Sequence, residues 1–172
     1  LPPVVVDADG LNALAQTKEW WSRLPQETIL TPHPGEMSRL TDLDTEAIAE
    51  DRLGIATEYA GKWGHIVVLK GAFTVVAAPD GRAALIPFAT PALATAGTGD
   101  VLAGTITGLL AQGLAPFEAA ICGAYLHGLA GQIAAEQIGV AGTLAGDLLQ
   151  TLPTAMSSIR CERDKQAFRL GE

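Results

Sequence analysis

Cysteine, charged residues and long hydrophobic runs are all scarce in this sequence. The two cysteines among its 172 residues, Cys122 and Cys161, form neither a disulfide framework nor the spacing of a metal site. Cys122 falls in an apolar helical run, so we predict that it lies in the core. This cysteine usage is typical of a reducing compartment, and we expect a cytoplasmic protein.

Basic residues are too few for a general nucleic-acid binder. The chain has 11 Lys and Arg against 19 Asp and Glu, which gives a formal net charge of −8. Such a surface repels a polyanion, so we expect no nucleic-acid partner. Any bound phosphate must be held by backbone N–H groups and a few well-placed cations.

The sequence also has no stretch that predicts a membrane span. Residues 101–117 carry no charge, but Gly, Thr, Gln and Pro interrupt them, and we interpret them as a buried helix. Hydrophobic residues make up 48% of the chain and charged residues 17%, which is enough to bury a core. We expect one domain, or part of a larger one, with no membrane partner.

The most informative stretch is ALATAGTGDVLAGTITGLLAQG, which runs from Ala92 to Gly113. In it, a glycine-rich turn leads into an apolar helix. The unpaired N–H groups at the start of such a helix form an anion site, and glycine lets a phosphate approach closely. The stretch therefore predicts an anion cradle at Gly97, Thr98 and Gly99.

Asp100 follows this cradle directly, where a carboxylate would repel a phosphate. One interpretation is a base that takes a proton from a hydroxyl group next to the phosphate. The other is a helix cap, because Asp is favoured where helices begin. The residues alone leave both interpretations open.

Polar residues also follow two short predicted strands, Val4–Asp7 and Thr28–Thr31. Ligands of open α/β sheets gather at the carboxyl ends of strands. His33 stands at such an end between two prolines and is a candidate for ligand contact, although a lone histidine is more often structural. Glu36 either caps the helix that follows or contacts a water molecule on a metal.

A three-stranded β-meander is predicted in the middle of the chain, at Ile66–Leu69, Phe73–Val76 and Ala84–Ile86. Gly71 suits a tight hairpin turn between the first two strands. Lys70, beside it, is either an ordinary solvated lysine or a contact for a bound nucleotide.

Three further helices are predicted around these strands. Thr45–Gly61 is amphipathic, and its solvated face includes Arg52, to which we assign no chemistry. Ala115–Gly139 is rich in Ala and Gly, which indicates close helix packing. The last helix ends at Leu152 and is followed by a polar tail.

Four segments stand in a fixed order: VVDADGLNAL, ILTPHPGEMSRL, VVLKGAFTVVA and LATAGTGDVLAGTITGLLAQG. Together they closely resemble the ADP/ATP-dependent NAD(P)H-hydrate dehydratases of the ribokinase-like superfamily, over roughly residues 4–155. The resemblance implies an α/β fold, a ribokinase-like three-layer α/β/α sandwich that here lacks its N-terminal portion. Residues 1–156 would be the C-terminal portion of that domain and 157–172 a polar tail.

The function that the resemblance implies is repair of a damaged nicotinamide cofactor. Members of the family use ADP or ATP to phosphorylate the 6-hydroxyl group of (6S)-NAD(P)H hydrate, and loss of phosphate then restores NAD(P)H. Mg²⁺ is expected with the nucleotide phosphates, and we predict no metal ligand among the residues. The implied partners are the hydrate, the nucleotide, further copies of the chain, and an N-terminal epimerase domain or missing N-terminal segment.

The resemblance also implies roles by position. Asp100 would be the base and would contact the substrate, and His33 would contact the hydrated dinucleotide. Gly97 and Thr98 would donate N–H groups to the transferred phosphoryl group. The nucleotide would be bound beside Gly99 and by the loop Lys70, Gly71, Ala72, Phe73 and Thr74.

Two other functions stay open at this point. A kinase of the same fold that phosphorylates a small alcohol would share the glycine-rich turn and Asp100. A nucleotide-binding fragment without catalysis would share the turn as well. A kinase leaves a stable phosphate ester, whereas the dehydratase releases phosphate and regenerates NAD(P)H.

Overall fold

A five-stranded sheet forms the centre of the molecule. The computed structural model describes the backbone of residues 2–170 and the side chains of residues 2–159. The strands lie side by side in chain order: β1 (Val5–Val6), β2 (Ile29–Leu30), β3 (Ile66–Leu69), β4 (Val75–Ala77) and β5 (Ala83–Leu85). The pairs β1–β2 and β2–β3 are parallel, and β3–β4–β5 is the antiparallel meander expected from the sequence.

Within the described residues, seven α-helices cover the two faces of this sheet. In chain order they are α1 (Asp9–Ala15), α2 (Pro34–Thr41), α3 (Thr45–Glu50), α4 (Arg52–Trp63), α5 (Thr98–Ala111), α6 (Pro116–Ile138) and α7 (Ala145–Leu170). Successive residues of a strand point to opposite faces, so β3 contributes to two cores. Ile66 and Val68 pack with α5, α6 and α7, while Val67 and Leu69 pack with α1 to α4. The three-layer α/β/α prediction is confirmed.

Close packing of α6 depends on its small residues, as the sequence predicts. A Cβ atom on Gly123 would lie 2.5 Å from Ile106 of α5. Further along α6, a Cβ atom on Gly128 would lie 2.3 Å from the Phe88 ring, and one on Gly131 would lie 2.4 Å from Leu93. Since real Cβ atoms do not approach so closely, glycine at these positions allows the segment around Phe88 and Leu93 to pack directly against this helix.

The prediction of one long helix at Thr45–Gly61 is wrong, because the helical conformation is interrupted at Asp51. The backbone of Asp51 has φ −134° and ψ 65°, outside the helical region, and separates α3 from α4. Its side chain accepts a hydrogen bond from the Gly54 N–H group at 2.8 Å. Asp51 therefore caps a new helix whose first residue is Arg52.

The tight hairpin turn predicted at Gly71 is also wrong. Leu69 pairs with Val75, so residues 70–74 form a longer loop between β3 and β4. Gly71 has φ +145° and Phe73 has φ +53°, and a two-residue turn cannot contain both. The loop has room to carry ligand contacts.

The end of the chain differs from the expectation too. The last helix does not end at Leu152 but continues to Leu170 with Pro153 inside it, into the segment predicted as a polar tail. Residues 171–172 of that tail lie outside the described residues. Cys122 is exposed rather than in the core, and the side chain of Cys161 is outside the described part. Within the described residues, no helix is long and apolar enough to cross a membrane.

Candidate active site

The start of α5 has the geometry of an anion site. Gly97 precedes the helix with φ +87°, and a Cβ atom there would lie 3.1 Å from that of Ala145, so both conformation and space favour glycine. The first N–H groups of the helix have no carbonyl acceptor within it. Asp100 lies exposed in this first turn, but the capping position belongs to Gly97 and no side-chain cap bond forms there. Asp100 therefore does not cap the helix, although it does lie in the first turn, where a carboxylate is favoured, and its role as a base stays a prediction.

Thr98 holds the turn before α5 in place. Its hydroxyl group donates to the Leu93 carbonyl at 2.7 Å and is 2.9 Å from the Thr95 carbonyl. Its N–H group donates to the same Thr95 carbonyl at 3.3 Å. The N–H group expected to reach a transferred phosphoryl group is thus engaged locally, and that role of Thr98 stays a prediction.

His127 supports the same turn from α6. Its Nε2 atom lies 2.8 Å from the Thr98 carbonyl, to which it donates. The side chain is 8% exposed, and burial lowers the pKa of His127 to about 4, helped by the positive charge of Lys70 and opposed by the bond to Thr98. The imidazole is therefore neutral at pH 7. Sequence reasoning gave His127 no role, since nothing in a helical run of small residues marks it as a partner of the turn.

Lys70 is held in a cluster of charges rather than in solvent. Its Nζ atom lies 2.6 Å from an Asp7 oxygen and 3.5 Å from a Glu36 oxygen, and its side chain is 18% exposed. A Cβ atom on Gly99 would lie 3.5 Å from this ammonium group and 3.6 Å from the Asp7 carboxylate. The cluster of Asp7, Glu36 and Lys70 therefore lies directly against the start of α5. Sequence reasoning left the role of Asp7 open.

His33 and Glu36 cap α2 reciprocally. The Nδ1 atom of His33 accepts from the Gly35 and Glu36 N–H groups at 3.0 and 3.3 Å, and Glu36 accepts from the His33 N–H group at 2.7 Å. Of the two interpretations of Glu36, the cap is confirmed and the metal contact is not tested. The His33 side chain stays 50% exposed at the strand end, so its ring is accessible to a ligand.

The loop of residues 70–74 is held from both sides. The Phe73 N–H group donates to the Phe88 carbonyl at 2.8 Å, and the Thr74 hydroxyl donates to the Gly71 carbonyl at 3.1 Å. From the other side, the guanidinium group of Arg52 donates to carbonyl groups of this segment. The expectation that Arg52 lies on a solvated face is therefore wrong, since its side chain is half-buried against this segment, and burial lowers its pKa from the ordinary value.

A cavity of about 360 Å³ lies between this loop and the start of α5. Six predicted residues line it: Lys70, Gly71, Ala72, Thr74, Thr98 and Gly99. His127, Phe88 and Leu93 form part of the remaining wall. The predicted residues His33, Phe73, Gly97 and Asp100 are not among those that line the cavity. An apolar cleft with a few convergent polar groups suits a small organic ligand with an anionic end.

The chain is a three-layer α/β/α sandwich. A glycine turn and a carboxylate stand at the start of one helix, beside a cavity, and these features together define a ribokinase-like protein. The particular family follows from a family model for NAD(P)H-hydrate dehydratases, which matches residues 1–154. This chain belongs to the NAD(P)H-hydrate dehydratase family.

Relatives and solved structures agree with this assignment. The bifunctional NAD(P)H-hydrate repair enzyme of Moorella thermoacetica is 51% identical over 160 residues, which cover 93% of this chain and 30% of that protein. The ADP-dependent (S)-NAD(P)H-hydrate dehydratase of Neisseria meningitidis is 44% identical, over 85% of this chain and 50% of the relative. The Bacillus subtilis ADP/ATP-dependent dehydratase, co-crystallised with ATP and Mg²⁺, superposes with a TM-score of 0.82 at 35% identity, over 91% of this chain and 55% of that one. The chain thus spans between 30% and 55% of the lengths of these three proteins.

Proposed function

We propose that this chain carries the nucleotide site and the catalytic base of an ADP- or ATP-dependent NAD(P)H-hydrate dehydratase. The observation that supports the proposal most is the cavity between the loop of residues 70–74 and the start of α5. One wall offers a loop backbone and the Lys70 ammonium group, and the other begins a helix that carries Asp100. A nucleotide lying across this cavity would direct its terminal phosphate toward the positive end of α5.

The reaction has two stages in this proposal. Asp100 takes the proton of the 6-hydroxyl group while the oxygen attacks the terminal phosphorus atom, and the bond from that phosphorus to the leaving nucleotide oxygen breaks. The C6–O bond then breaks, phosphate leaves with the bonding electrons, and loss of a proton from C5 forms the C5–C6 double bond. The products are NAD(P)H, phosphate and a nucleotide shortened by one phosphoryl group.

Phosphoryl transfer needs positioning and charge neutralisation more than covalent help from the protein. The first-turn N–H groups of α5 supply positive potential at the phosphate end of the cavity, and the Lys70 ammonium group lies beside them. Asp7 and Glu36 fix the position of that ammonium group.

Magnesium fits this site as a companion of the nucleotide. No group of three or more His, Cys, Asp or Glu side chains in the described part of the chain is arranged to hold a metal ion. Mg²⁺ is commonly held by phosphate oxygens, water and one or two carboxylates, and the Asp7 carboxylate, which lies beside Gly99 at the start of α5, would be one of them. When bound, the ion would neutralise charge on the phosphates.

The remaining contacts of the proposal concern the hydrate and other chains. His33, half exposed at the end of β2, would contact the hydrated dinucleotide. Assembly into a homo-oligomer, association with an epimerase domain and location in the cytoplasm are part of the same proposal. The Moorella relative is a bifunctional NAD(P)H-hydrate repair enzyme, which supports association with an epimerase domain.

The test separates the dehydratase from a kinase of the same fold. Hydrated NADH, Mg²⁺ and ADP or ATP are mixed with the chain, and NADH absorbance and free phosphate are followed together. The proposal predicts that the two rise in a one-to-one ratio. A stable phosphate ester that forms without any recovery of absorbance would contradict it and favour the kinase.

A further inference from the structure

Arg52 makes an unusual set of contacts with the loop of residues 70–74. One terminal nitrogen, Nη2, donates to the Leu69 carbonyl at 2.9 Å and the Lys70 carbonyl at 3.2 Å. The other, Nη1, donates to the Ala72 carbonyl and lies 3.4 Å from the Phe73 carbonyl. A single guanidinium group therefore gathers four carbonyl oxygens, which would repel one another without it.

The conformation of the loop depends on these hydrogen bonds from the Arg52 guanidinium group. Phe73 has φ +53°, a left-handed value that is unfavourable for a residue with a side chain, and surrounding contacts must hold it there. Gly71 leaves space for the guanidinium group, since a Cβ atom on it would lie 3.0 Å from Nη2. Thus Gly71 and Phe73 adopt a backbone shape that fits around Arg52.

Arg52 itself is fixed from outside the loop. It is the first residue of α4, directly after the cap formed by Asp51, and it reaches the loop across 17 to 21 positions of sequence. Its Nε atom is buried and has no hydrogen-bond partner among the described residues. A lysine at this place would keep the charge but lose the planar fork that reaches four acceptors.

We propose that Arg52 is a positioning residue that shapes the loop of residues 70–74 for nucleotide binding. The inference rests on the proposed function, because the nucleotide is the ligand that the cavity beside this loop would hold. Arg52 touches neither the cavity nor the reacting atoms. It acts through the carbonyl groups that it orients, and hence through the N–H groups and side chains on the other side of the same peptides.

Two substitutions test the inference in the full chain. Arg52→Met keeps the aliphatic stem and removes every donor, and Arg52→Lys keeps the charge and removes the fork. Arg23→Met is the matched control, since it removes the same charge from an exposed position on a different element. The control matters because a lost positive charge by itself weakens the binding of an anionic nucleotide.

Two measurements are made on each variant after its thermal unfolding curve confirms a folded protein. The first is amide hydrogen exchange at Lys70 and Phe73, whose N–H groups donate to the Pro32 and Phe88 carbonyls at 2.8 Å each. The second is the dissociation constant of ADP with Mg²⁺ by calorimetry. We expect both loop amides to exchange about tenfold faster or more in Arg52→Met, with unchanged exchange in β3, and ADP binding to weaken by about tenfold or more.

Arg52→Lys is expected to resemble Arg52→Met, and Arg23→Met to resemble the wild type, in both measurements. Unchanged loop exchange in Arg52→Met, unchanged ADP affinity despite faster exchange, or an equal effect of Arg23→Met would each overturn the inference. Failure of the proposed function looks different, because the wild-type chain would then bind no ADP. In that case the exchange measurement would still decide whether Arg52 shapes the loop.

Discussion

Acid should destabilise this protein through His127, by an amount that follows from the burial of its ring. The pKa of His127 is about 4 in the folded chain because burial disfavours the charged imidazolium, against an ordinary value of 6.5. Between these two values the unfolded chain binds a proton that the folded chain does not. Stability is therefore fully present above pH 6.5 and is lost as the pH falls toward 4.

The magnitude follows from the difference between the two pKa values. A difference of about 2.5, at 1.36 kcal/mol for each pKa unit, corresponds to about 3 kcal/mol once the pH is below 4. At pH 5 the same linkage removes about 2 kcal/mol relative to pH 7. That is a large part of the free energy of unfolding of an ordinary domain, which is about 5–15 kcal/mol.

The substitution His127→Gln isolates this contribution. A glutamine amide nitrogen can replace Nε2 and donate to the Thr98 carbonyl, but the side chain has no proton to gain. Urea unfolding of both proteins is followed by tryptophan fluorescence from pH 7 to pH 5. Other groups, including His65, whose pKa is also lowered by burial, titrate in both proteins and cancel in the comparison.

The expected result is that the wild type loses about 2 kcal/mol more than His127→Gln over this range. Two parallel curves would refute the reasoning, because they would mean that His127 takes up a proton as readily in the folded chain as in the unfolded one.

Two further substitutions are each measured by urea unfolding. One tests the packing of α6, and the other tests the charge cluster of Asp7, Glu36 and Lys70. Gly128→Ala places a Cβ atom 2.3 Å from the Phe88 ring, so we expect a loss of about 1–3 kcal/mol. Its control Gly104→Ala, with no atom near its Cβ position, should gain up to about 1 kcal/mol, and equal effects of the two changes would contradict the packing. Asp7→Asn removes the negative charge closest to Lys70 and should cost about 1–3 kcal/mol. The exposed Asp9→Asn should change little, and an unchanged midpoint for Asp7→Asn would count against the charge cluster.

Much of the fold could be predicted because its signals are local. The strands β1, β2 and β3 are short branched runs, and α6 follows a periodic run of small residues between Pro116 and Gly139. The break at Asp51 was missed because the apolar pattern continues across it, and only the backbone shows that a new helix begins. The helix after Pro153 was missed because proline normally ends a helix.

The candidate site divides in a similar way. The glycine turn before Asp100 and the segment that follows β3 are continuous motifs, so the sequence revealed them. Arg52, Asp7 and His127 reach the same region from elements far away in the chain, and separations of 17–21, 63 and 29 residues leave no local pattern. Such residues emerge only when the fold brings their elements together.

Asp100 is proposed as the base beside a nucleotide site, and the substitution Asp100→Asn is the decisive test of that role. This change removes the proton acceptor and keeps the size of an exposed side chain in the first turn of α5. Recovery of NADH absorbance from hydrated NADH, Mg²⁺ and ADP would be measured alongside ADP affinity. We expect a rate lower by about 10²-fold or more, with ADP affinity changed by less than about threefold. Recovery at the wild-type rate in Asp100→Asn would rule out Asp100 as the base, because the proton would then leave by another route.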